Sequence, residues 1–249
     1  MSDPSKNFGE DAGRYATYRP DYPQDVFDLL ISHVRSGKKL AVDLGAGSCQ
    51  ATRKLVRLFD YVVAVEPDAR QAAEAQISEN AEIRIASAED VTFEAKSIDA
   101  VVSATAFHWM NQPLICRKVA SWLKPDGVFF PFAFDRFEIE GEVGEFYNTE
   151  FEKWKEYRDR RIVECYDYTG ALTNSREFEK VIPFAQNFSH TLPSEAAAGI
   201  VSTFSFARAY AKSTNNAERY FQEVTDVFVK AGETVTIKTP IVGALGVKS

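Results

Sequence analysis

Short apolar runs alternate with stretches of helical periodicity along roughly the first half of the chain. Leu40 to Leu44 is an unbroken apolar run apart from Asp43, the pattern of a strand buried on both faces. Tyr61 to Val65, Glu82 to Ala86, Asp99 to Ser103 and Val128 to Phe132 repeat it. Between them lie helical patterns. Val26, Leu30 and Val34 share one face, with Pro23 at the helix start and Ser36-Gly37 at its end. Ala51, Leu55, Leu58 and Phe59 form a second stripe, and Ile115, Val119 and Trp122 a later one. An Ala- and Gln-rich helix is expected from Asp68 to about Asn80. Strands alternating with helices imply right-handed βαβ units and a parallel sheet.

The rhythm changes after the fifth strand. Residues 135 to 180 are charged and aromatic, with Phe146, Tyr147, Phe151, Trp154 and Tyr157, and predict one or two capping helices. A strand near Phe184 to Leu192 follows, then helices from Ser194 to about Ala211 and from about Asn216 to Lys230. Residues 234 to 247 read as a closing extended segment. The expectation is one domain over 1-249: an N-terminal arm (1-23), a core (24-134), a helical cap (135-180) and a C-terminal part (181-249).

The chemistry sits at the end of the first strand. Gly45 and Gly47 turn the chain there and open a helix. Glycine lets backbone approach a ligand closely, and open α/β sheets bind ligands at the carboxyl ends of their strands. Glu66 follows Gly47 by 19 residues, where a carboxylate can accept hydrogen bonds from both hydroxyls of a ribose. Loop and acid together indicate an adenosine-type cofactor. Asp43 would repel a pyrophosphate but attract an ammonium or sulfonium, and position 50 is Gln where a dinucleotide fingerprint has glycine. S-adenosyl-L-methionine is therefore preferred over NAD.

Composition narrows the partners. Lys plus Arg number 29 against 36 Asp plus Glu, giving a formal net charge of −7 with no basic cluster, so nucleic acid is not the expected partner. The three cysteines (Cys49, Cys116 and Cys165) and three histidines (His33, His108 and His190) show no metal-ligand spacing, and no metal is expected. The polar start offers no signal peptide, and no run reaches the ~20 apolar residues of a membrane span. A cytoplasmic protein with reduced thiols, monomer or homodimer, is the expectation.

Taken in order, these segments resemble the class I S-adenosylmethionine-dependent methyltransferases. Val42-Asp43-Leu44-Gly45-Ala46-Gly47 is similar to their first motif and Val63-Ala64-Val65-Glu66-Pro67 to their second. Ser87-Ala88-Glu89-Asp90 resembles the adenine-contacting loop, and Ser103 to Trp109 the segment after the fourth strand. Leu123 to Gly127 is similar to the turn before the fifth strand. The Tyr-Arg-Pro-x-Tyr-Pro opening, Tyr18 to Pro23, resembles a small-molecule subgroup that includes trans-aconitate-type enzymes.

The resemblance implies a Rossmann-like three-layer α/β sandwich. Its sheet would be mostly parallel and seven-stranded, with an antiparallel final strand and a helical cap after the fifth strand. It implies a cofactor site from Tyr18, Arg19, Asp43, Gly45, Ala46, Gly47, Glu66, Pro67, Ala88, Glu89, Thr105, Phe107 and His108. Arg19 would pair with the methionine carboxylate. Tyr15, Trp109, Phe134 and Phe204 would face a small-molecule acceptor. His108, just past the fourth strand, suits a general base or a positioning residue. One departure stands out: Cys49 occupies the place of the family's third glycine. The competing readings are a non-catalytic cofactor-binding protein and an NAD-type oxidoreductase.

Overall fold

The structure, a computed structural model, describes residue 18, residues 21–164 and residues 166–249. Among these residues eight strands join one sheet: β1 (Leu40–Leu44), β2 (Tyr61–Glu66), β3 (Ala81–Ile85), β4 (Ile98–Ala104), β5 (Leu123–Phe134), β6 (Glu138–Ile139), β7 (Lys180–Pro193) and β8 (Thr234–Val247). Their order is β3-β2-β1-β4-β5-β8-β6, with β7 pairing with β8. The first five run parallel in the order 3-2-1-4-5, the doubly wound arrangement whose crevice lies at the carboxyl ends of β1 and β4. Eight strands replace the expected seven. The addition is the two-residue β6, too short to leave a periodicity in the sequence.

The chain divides into two compact units. The sheet unit comprises Asp21–Ala133, Glu164–Gln186 and Ile241–Ser249. Val42 aligns with Val63 and Val101, and Val101 with Phe129, so one row of apolar residues crosses four strands. Ile115, Val119 and Trp122 of helix α4 (Gln112–Trp122) are buried against the same core cluster, as their spacing predicts. Helix α1 (Gln24–His33) buries Val26, Phe27 and Leu30, and Phe27 meets Phe132 edge-on at 6.1 Å. Two short helices complete the first crossovers, α2 (Gln50–Leu55) and α3 (Ala69–Ala73). The expected helix to Asn80 thus stops at Ala73. Only Gln71 and Ala72 of it are buried, and a short helix without an apolar face to pack is not self-sustaining.

The other, helical unit contains Tyr18, Phe134–Val163 and Asn187–Pro240. Its helices are α5 (Gly141–Trp154), α6 (Arg160–Glu164, whose last residue falls in the sheet unit), α8 (Ser194–Ser202), α9 (Ser205–Ser213) and α10 (Ala217–Lys230); α7 (Tyr168–Ser175) belongs to the sheet unit. The single helix expected over Ser194 to Ala211 is two. Phe204 takes an extended conformation between them, and its ring packs 5.3 Å from Phe137. Antiparallel pairing of Glu138 with Lys238 and Ile139 with Ile237 joins β6 to β8. No described helix is long and apolar enough to cross a membrane.

Candidate functional site

The loop between β1 and α2 is held by its own amides. Gly45 and Ala46 donate to the Val65 carbonyl at the end of β2, at 2.9 and 3.1 Å. Gly47 donates to Glu66 Oε2 at 2.8 Å, and Cys49 to the Ala46 carbonyl at 2.8 Å. Both glycines have positive φ, +71° and +56°. A Cβ on Gly45 would fall 2.5 Å from the Cβ of Ala106, so this position takes no side chain. Cys49 also lies in the left-handed region, at φ +63°, a conformation that glycine adopts at lower cost. Its thiol is fully buried, and burial pushes it up to about 12, with the Asp43 charge adding to the effect.

Asp43 is fully buried. Its Oδ2 accepts a 2.7 Å hydrogen bond from Thr52 Oγ1, while Oδ1 meets no donor among the described residues. Burial pushes its carboxyl up to about 6; Thr52 opposes that shift and Glu66 adds to it. Ser48 Oγ, in the same loop, is also buried and meets no partner among the described residues. Glu66 is 5% exposed, and burial raises its pKa too. Its Oε1 accepts from the Asp68 amide at 2.9 Å, opposite the Gly47 bond at Oε2. Each carboxylate oxygen still has a second lone pair for a ligand. Pro67 is exposed beside it.

The segment after β4 carries the second half of the site. Thr105 has φ +57°, an outlier for a β-branched residue, and is held there by two bonds. Its amide donates to the Phe132 carbonyl at 2.7 Å, and its hydroxyl pairs with Tyr22 Oη at 2.9 Å. Phe107 is fully buried, packed edge-on against Phe129 and Tyr168, so its side chain belongs to the core and only its backbone can meet a ligand. His108 is 2% exposed. Its Nδ1 shares a 2.8 Å hydrogen bond with Tyr168 Oη, and its ring lies 4.7 Å from Tyr166 and 5.0 Å from Trp109. Ala88 is buried, the Glu89 carboxylate accepts from the Asn111 amide at 2.8 Å, and the Glu89 carbonyl accepts from Lys118 Nζ.

The remaining expected residues lie elsewhere. Phe134 and Phe204 sit in the helical unit, joined through Phe137 at 5.8 and 5.3 Å. Tyr18 is in the same unit, its ring against Gly199. Tyr15, Arg19 and Cys165 fall outside the described residues. Thr52, Tyr22, Tyr166 and Tyr168 are site residues that the sequence reading did not select. Thr52 stands one residue-turn into the helix that follows the glycines, a position that could have suggested it. Tyr166 and Tyr168 carry no periodicity or motif. Among the described residues no group of His, Cys, Asp and Glu could hold a metal ion.

Residues 42–130 match the methyltransferase domain family. A Dictyostelium discoideum protein assigned as a methyltransferase is 31% identical over 132 residues, 53% of this chain and 50% of its own length. A Saccharomyces cerevisiae protein assigned as an S-adenosylmethionine-dependent methyltransferase is 30% identical over 133 residues, 50% of this chain and 45% of its own. The chain spans about half the length of the curated relatives it matches. A solved structure from Anaeromyxobacter dehalogenans, assigned to the type II methyltransferases, shares the fold: TM-score 0.77 at 22% identity, over 92% of this chain and 98% of that one. The buried acid, the glycine turn and the acid after β2 all lie at or within residues 42–130, in the order that the methyltransferase resemblance implies.

Proposed function

We propose that the protein transfers the methyl group of S-adenosylmethionine to an oxygen or nitrogen of a small molecule. One observation carries the choice of cofactor. The amides of Gly45, Ala46 and Gly47 are all engaged within the protein, whereas the buried Asp43 keeps one oxygen unused. A pyrophosphate needs free N–H groups at such a turn. An ammonium needs an unused buried carboxylate oxygen, and pairing it relieves the cost of burying that charge. The loop therefore suits an amino-acid ammonium and opposes a dinucleotide. In this reading Glu66 accepts the ribose hydroxyls, and the backbone of Ala88 and Glu89 meets the adenine.

The bound cofactor supplies an already activated methyl group. The protein's contribution is alignment of the acceptor and, where the acceptor carries a proton, its removal. His108 takes that role in our reading, with Tyr168 fixing its ring. The acidic net charge supports an acceptor other than nucleic acid. A cytoplasmic monomer or homodimer completes the proposal. Calorimetry with S-adenosylhomocysteine and with NADH tests it: heat is expected with the first alone. Heat with NADH alone overturns the reading.

A further inference from the structure

Among the described residues, no carboxylate forms an ion pair with Arg136 or Arg158 of the helical unit. The Arg136 guanidinium lies 4.2 Å from the Phe151 ring centre, and the Arg158 guanidinium lies 5.6 Å from the same ring and 5.8 Å from Phe206. Arg136 donates to the neutral Asn148 side chain at 2.8 Å. Arg158 Nε is shielded from solvent and meets no acceptor among the described residues. The nearby carboxylates are engaged elsewhere. Asp159 takes two hydrogen bonds from the Arg161 guanidinium, at 2.9 and 2.8 Å, and a third from its amide, and Glu150 binds Lys153 and Tyr220. A buried N–H without an acceptor is a standing cost, and stacking on aromatic rings offsets only part of it. A planar, carboxylate-matching fork beside apolar rings is the chemistry that recognises an organic acid.

We propose that Arg158, with Arg136 beside it, is a binding site for a small carboxylate carried on a flat apolar body. The carboxylate accepts the unmet Arg158 N–H, and the apolar body lies against the half-buried Phe206. The proposal does not depend on the methyl-transfer reading, because it concerns residues of the helical unit alone.

The test uses the full chain without cofactor, titrated with benzoate, benzamide and acetate while binding heat and Tm are measured. Benzoate is expected to bind and raise the Tm. Benzamide lacks the charge and acetate lacks the ring, and each is expected to bind at least tenfold more weakly. Arg158→Met is expected to abolish the preference for benzoate while leaving the ligand-free Tm unchanged or higher, since it removes an unmet donor and keeps the apolar stem. Arg158→Lys keeps the charge without the fork and is expected to lose most of the affinity. Equal binding of benzoate and benzamide overturns the proposal. So does a benzoate preference that survives Arg158→Met. A fall in Tm for Arg158→Met, in a protein that does not prefer benzoate, assigns the arginine to structure instead.

Discussion

His108 Nδ1 and the Tyr168 hydroxyl lie 2.8 Å apart, so that nitrogen of the imidazole is committed inside the protein. The Tyr166 ring at 4.7 Å fixes the imidazole plane. An orienting partner of this kind sets which tautomer the imidazole adopts. Tyr168→Phe should lower turnover of an accepted substrate by roughly tenfold, in line with other groups that orient an active side chain. His108→Ala should lower it by about 10²-fold or more, as loss of a general base does. Cofactor affinity should hold in both. The ring ¹⁵N resonances of His108, picked out from only three histidines, should shift in Tyr168→Phe. Turnover near wild type across pH in His108→Ala would remove its assigned role.

Asp43 makes stability and cofactor affinity respond to pH in opposite directions. Its carboxyl stands at about 6 in the folded protein against 3.8 when free. Below pH 4 both states hold the proton. Between pH 4 and 6 the unfolded chain releases it first, so the stability of the unliganded protein falls as pH rises through that window. The accumulated cost at pH 7 is on the order of 3 kcal/mol. A cofactor ammonium binds the ionised form, so S-adenosylhomocysteine affinity should weaken as pH drops from 7 to 5, with proton release visible in calorimetry across two buffers. Asp43→Asn should raise the Tm of the unliganded protein at pH 7 and remove the binding heat.

Cys49 combines a left-handed backbone with a buried, strongly raised thiol. The left-handed conformation costs an ordinary residue about 1 kcal/mol, which glycine avoids. Cys49→Gly loses a buried side chain but relieves that strain. It should therefore stay within about 1 kcal/mol of wild type in urea unfolding, with cofactor affinity retained. Cys49→Val puts a β-branched residue at positive φ and should be clearly less stable. The native thiol should resist iodoacetamide, as mapped by mass spectrometry.

In the helical unit, Tyr220 links two buried groups. Its hydroxyl donates to Glu150 Oε2 and accepts from Trp154 Nε1 at 2.8 Å. Burial, reinforced by Glu150, raises the phenol far above its usual range, so it keeps its proton. Tyr220→Phe removes the acceptor of Trp154 Nε1 and the donor to Glu150 Oε2, and should cost roughly 1–3 kcal/mol in denaturant unfolding. Glu150→Gln keeps an acceptor for the tyrosine and should cost less.

The parallel core was legible because strands buried on both faces leave continuous apolar runs, as Leu40 to Leu44 and Tyr61 to Val65 do. Asp43 and Glu66 were legible because a charge inside or just after such a run is conspicuous. What escaped were partners distant in sequence. Tyr168 reaches His108 across 60 residues and Tyr22 reaches Thr105 across 83, and neither is marked by local pattern. The break at Phe204 escaped for the same reason. An apolar residue fits a helix stripe equally well, and only its tertiary contact with Phe137 reveals that it turns inward.

Gly45 faces Ala106 so closely that a Cβ on the glycine would fall 2.5 Å from the alanine Cβ. The glycine loop and the turn bearing His108 are therefore in direct contact at this point. Growth at position 106, as in Ala106→Val, displaces the glycine turn and the imidazole together. Such a variant couples two properties that enzymologists usually read apart, because loss of cofactor binding and misalignment of the acceptor arise from a single displacement.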